Sequence, residues 1–122
     1  MEQNKTINIG AGANVTAPVV IADHLQESFN TLERFEADPN LKTLLDRLLK
    51  AVAGATQEAP SRTSENAARD SRNLVEEATA KEPRAGEAVR LGERIKDWAK
   101  AIGETGKPIV ELVAAIIPLL PR

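Results

Sequence analysis

Leu41, Leu44, Leu45, Leu48, Leu49 and Val52 recur at three- and four-residue spacing and mark one wide apolar stripe. That spacing fits a helix of 3.6 residues per turn and no strand. A stripe this broad must be buried, so these leucines are the expected core, and the rest of the chain must cover them. Asn40 reads as the helix N-cap, directly after Asp38-Pro39 closes the preceding element. The pattern fades through Ala53-Gly54-Ala55.

Four further segments carry helical patterns. Asp23 and Gln26 form a capping box ahead of Leu25, Phe29, Leu32 and Phe35 or Glu36. After a polar loop near residues 54–64, broken by Pro60, Ser64 caps a third helix running to about Lys81. Glu65–Arg69 and Glu77–Lys81 support it as i,i+4 pairs. Its apolar face is thin: Ala67, Ala68, Ser71, Leu74, Val75 and Ala78. Such a helix either packs closely through small residues or docks loosely. Glu82-Pro83 breaks it, and a fourth helix follows from about Arg84 to Ile102 with Leu91, Ile95, Trp98 and Ala99 on one face.

Gly103 and Gly106 interrupt the chain, and Pro108 suits the first turn of a fifth helix, 108–120. Ile109, Leu112, Val113, Ile116, Ile117 and Leu120 lie on one face, and Glu111 is the sole charge. Pro118 removes a hydrogen bond to residue 114 and bends or frays the end. The preferred reading is the buried centre of a bundle. The alternative is a docking or membrane-active helix released by a trigger, too short to span alone because spanning takes about 20 apolar residues.

Residues 1–22 differ from everything that follows. Thr6-Ile7-Asn8-Ile9 and Asn14-Val15-Thr16 alternate polar and apolar residues around Gly10-Ala11-Gly12-Ala13, and Ala17-Pro18-Val19-Val20-Ile21 follows. Alternation, glycines and β-branched residues read as a short β-hairpin. Two strands alone are marginal in water. Ile7, Ile9, Val15, Val19, Val20 and Ile21 therefore either pair with another chain or cover the bundle. The expected fold is mainly α, a four- to five-helix bundle over residues 23–122 preceded by that hairpin.

The chemistry available is narrow. The 122 residues include no cysteine, and the sole histidine is His24, so thiolate metal sites and Ser/His/Asp triads cannot be assembled within one chain. Aromatic residues are 2% of the chain (Phe29, Phe35 and Trp98), too few for base-stacking platforms. A net charge of −2 offers no basic surplus for nucleic acid. Gly10-Ala11-Gly12 lacks the third glycine of a dinucleotide fingerprint and the lysine of a P-loop, and reads as a tight turn. Asp23-His24 reads as a surface pair, Asn14-Val15-Thr16 as polar hairpin residues, and the mixed charges of 62–93 as solvated helix faces. No catalytic, cofactor or metal residue is expected. The N-terminal MEQNKTINIG has no continuous apolar run, so the reading is a cytoplasmic chain.

Ile7 to Leu32 resembles a segment of small bacterial modules. In those modules a Gly/Asn-rich hairpin and a Val-rich strand lead into an Ala-Asp-x-apolar-x-x-Ser-Phe-Asn helix start. Here the motif is Ala22, Asp23, Leu25, Ser28, Phe29 and Asn30. The modules are similar to adaptor or effector-associated parts of NACHT, TIR and related defence systems. The resemblance implies self-association or recruitment of an effector protein, without enzymatic activity. The expected function is accordingly a non-enzymatic oligomerisation or adaptor module, in which Val20→Lys lowers assembly. The alternatives are a membrane-active effector using helix 108–120, and an inhibitor or antitoxin-like binder using the third and fourth helices.

Overall fold

The leucine stripe is the centre of the protein. Leu45, Leu48, Leu49 and Val52 have no solvent-accessible surface. The computed structural model describes residues 16–58, 61–84 and 86–120, and among these it is mainly helical, without a strand. The helices are α1 (Thr16–Glu33), α2 (Pro39–Glu58), α3 (Arg62–Thr79), α4 (Glu87–Ala101) and α5 (Lys107–Ile116). Short 3-10 turns occupy Gly103–Gly106 and Ile117–Leu119. One apolar cluster draws on all five helices. α2 packs against α1, α3 and α5; α3 packs also against α1 and α4; α4 packs against α5.

The expected hairpin is corrected in its second half. Ala17-Pro18-Val19-Val20-Ile21 lies within α1, which runs unbroken across the anticipated boundary at residues 22 and 23. Ile7, Ile9 and Val15 lie outside the described residues. Three consecutive β-branched residues cost a helix up to about 0.7 kcal/mol each. Burying Ile21 and Leu25 yields about 1.5–3 kcal/mol each. Ala17, Ile21, Leu25, Ser28 and Leu32 are all buried, a stripe with helical period that outweighs local preference. Pro18 sits in the first turn, where its missing N–H needs no intrahelical partner.

Helix starts shift by a few residues from their expected places. Asp38, not Asn40, caps α2: its Oδ1 accepts from the Leu41 backbone N–H at 3.1 Å. Ser61 caps α3 by accepting from the Ser64 N–H at 3.2 Å. α2 continues through Gly54 to Glu58, and α4 begins at Glu87 rather than Arg84. Between α3 and α4, Glu77 clamps the connection by accepting from Arg84 Nε at 2.8 Å, Nη2 at 2.6 Å and the backbone N–H at 3.0 Å.

The thin face of α3 packs closely. Ala67, Ala68, Ser71, Leu74, Val75 and Ala78 are buried, and the Ser71 hydroxyl donates to the Ala67 carbonyl at 2.8 Å. Ser28 does the same to His24 and Thr56 to Val52, so these buried hydroxyls cost little. The chain leaves α4 through Gly103 at φ 82, a left-handed conformation that side chains disfavour. Gly106 is buried so tightly against α4 that a Cβ there would overlap the Ala99 carbonyl. α5 ends at Ile116 and tightens into the 3-10 turn containing Pro118.

Candidate functional site

The N-terminal half of α1 presents the most exposed large apolar side chain among the described residues, Val19 at 61%. On another face of α1, α1 and α2 form a groove of about 360 Å³. Pro18, Ile21, Ala22 and Leu25 line one wall, and Ala53, Thr56 and Gln57 the other. None of these side chains is charged, in a chain where 28% of residues are. A second groove between the same two helices, about 430 Å³, is lined by Glu33, Lys42 and Asp46 among others. The first groove is thus the one that closes without stripping water from ions.

Helix phase separates the three consecutive apolar residues. Val19 faces solvent, Val20 is half-buried, and Ile21 at 6% exposure belongs to the core. Val20 lines a groove of about 530 Å³ between α1 and α3, together with Asp23, His24, Glu27 and Arg72. His24 Nδ1 and Arg72 Nε are both buried there with no hydrogen-bond partner among the described residues. The His24 pKa is lowered, first by burial and then by Arg72 and Arg69, with Asp23 and Glu27 opposing. The imidazole is therefore neutral near pH 7, and protonation would add a third cation at the α1–α3 seam.

The C-terminal apolar face points inward. Ile109, Val113, Ile116 and Leu120 are buried, and Leu112 and Ile117 pack half-buried against the same cluster. No helix among the described residues is long and apolar enough to cross a membrane.

A fourth groove, about 540 Å³, lies between α3 and α4. Asp70, 7% exposed, accepts there from Arg94 Nε at 3.1 Å. Trp98 is half-buried, with its indole N–H buried and without a partner among the described residues. The expectation of solvated charges over 62–93 missed Asp70. The available signal was its position three residues after Ala67 and four before Leu74, on the apolar face of α3. No cluster of three or more His, Asp or Glu suited to a metal occurs among the described residues.

No family model matches the chain, and neither a curated protein nor a solved structure matches it significantly.

Proposed function

We propose that the chain is a non-enzymatic adaptor module that self-associates and recruits an effector protein through the N-terminal half of α1. The observation that carries this reading is the pairing of exposed Val19 with a charge-free groove on the same helix. Contiguous apolar surface rimmed by polar residues marks protein contacts. Ala22, Asp23, Leu25, Ser28, Phe29 and Asn30, which carry the resemblance to bacterial defence-associated modules, all belong to α1. The reading places the module in a bacterial defence or signalling assembly. Its deficit of catalytic residue types, with one histidine and no cysteine, favours binding over chemistry.

The membrane-active alternative meets an energetic obstacle. Extracting Ile109, Val113 and Ile116 from the core would forfeit about 1.5–3 kcal/mol for each. The sum rivals the entire stability of a small domain, about 5–15 kcal/mol.

Light scattering after size exclusion, over about a hundredfold range of concentration, tests the proposal. A mass that rises with concentration to a discrete multimer supports it. A mass of 13.1 kDa throughout rules out self-association.

A further inference from the structure

We propose that Ile7 and Ile9 of the chain's own N-terminal segment seat in the groove between α1 and α2 and cover it until a partner displaces them. The inference rests on the reading of that groove as a recruitment surface and names what regulates access to it. Residues 1–15 precede the described structure, and the chain passes into it at Thr16, just before Pro18 on the groove's wall. α2 contributes Ala53, Thr56 and Gln57 from its C-terminal end. The groove therefore lies where the segment enters the bundle.

Charge selects this groove among those that α1 lines. From Thr6 to Ala22 the chain carries no charge, and no residue of the groove's walls carries one. The other two grooves on α1 hold Glu33, Lys42 and Asp46, or Asp23, Glu27 and Arg72. An apolar occupant there would strip water from ions.

Length permits the return. Pro18 and Leu25 bound the groove about 10 Å apart along the α1 axis. Four extended residues, Thr6 to Ile9, span about 13 Å and put Ile7 and Ile9 on one side, Thr6 and Asn8 on the other. Gly10 to Val15 can reach up to about 20 Å, more than the ~13 Å from Thr16 to Leu25 along the helix. Gly10 and Gly12 admit the positive φ that a reversal of direction uses. Segment and groove share one chain, so docking is intramolecular and does not weaken on dilution.

Ala22 lines the groove and is exposed, and the chain has no native cysteine. Full-length Ala22→Cys therefore reports cover through its rate of maleimide alkylation. Adding Ile7→Asp and Ile9→Asp is expected to speed that rate at least about threefold, as when about two thirds of molecules held the groove closed. The same double substitution is expected to leave alkylation of Ala114→Cys, exposed on α5, and the circular dichroism unchanged. The protection is expected to be the same at every protein concentration. Alkylation of Ala22→Cys indifferent to the double substitution, or accelerated equally at Ala114→Cys, overturns the inference. Protection that appears only as concentration rises assigns the groove to a second copy and overturns it too. Light scattering separates this outcome from the reading it rests on. A multimer whose Ala22→Cys is indifferent keeps self-association and loses the cover; a monomer whose Ala22→Cys is protected keeps the cover and loses self-association.

Discussion

Asp70 on α3 and Arg94 on α4 are joined by a hydrogen-bonded ion pair at 3.1 Å whose acid is buried and whose base is half-exposed. The geometry ties two helices 24 residues apart in sequence. The two partners are therefore unequal: water can replace Asp70 around Arg94 but cannot readily replace Arg94 around Asp70.

Arg94→Met is expected to destabilise the protein by about 1–2 kcal/mol, because it strands a buried carboxylate. The value lies below that of fully buried pairs because solvent screens the arginine side. Adding Asp70→Asn is expected to recover part of the loss. Urea denaturation of the two single variants and the double variant checks this, and strict additivity would refute the coupling.

His24 gives the stability a pH dependence of definite sign. Its folded pKa lies below the ordinary value of 6.5. Between the two values the unfolded chain binds more protons than the folded one, so stability rises with pH. The contribution is complete above about 6.5 and is lost as pH falls from there towards the folded pKa. Burial of the ring is the first cause, followed by Arg72 and Arg69 on α3, with Asp23 and Glu27 on α1 opposing. Denaturation midpoints of the native chain and His24→Gln, compared between about pH 7.5 and 5, should converge or cross as the native chain weakens. Parallel curves would show that His24 contributes nothing.

Val19 and Ile21 are expected to respond oppositely to the same substitution. Val19→Lys changes stability by less than about 0.5 kcal/mol, as exposed sites do, and lowers association. Ile21→Lys forces a charge into the core and costs about 3 kcal/mol or more. Thermal melts and light scattering on both variants separate the two effects.

Truncation after Lys107 removes Ile109, Val113, Ile116 and Leu120 from the core. The expected result is loss of the cooperative unfolding transition, read by circular dichroism. A truncated chain that melts cooperatively near the native temperature would show that α5 is dispensable to the fold.

The helical core was legible where apolar side chains repeat with helical period over several turns. Leu45, Leu48 and Leu49, and likewise Ile109, Val113 and Ile116, needed no tertiary context to identify. The beginning of α1 was not legible, because its buried stripe passes through Ala17 and Ser28, neither of which reads as a core residue. Three β-branched residues in a row then dominate the local pattern. Caps were displaced for a related reason: Asp38 and Asn40, or Ser61 and Ser64, are equally good acceptors, and packing selects between them. At the candidate site, sequence marked Val19, Val20 and Ile21 together. Their separation into a solvent-facing, a half-buried and a buried residue depends on helix phase, which a strand reading inverts. Asp70 was hidden among charges that do face solvent.

The pairing of α2 with α5 has a consequence for the nascent chain. The part of the leucine stripe that α5 covers emerges from the ribosome ahead of α5, with the chain from Glu58 to Lys107 between them. At about 5–20 residues per second, that interval lasts about 3–10 s. During it α1 and α3 can shield only part of α2, so the segment that carries the leucine stripe waits, incompletely clothed, for its last neighbour. Chaperone capture and misassociation between neighbouring nascent chains should concentrate in that window, and should fall once α5 is free of the exit tunnel.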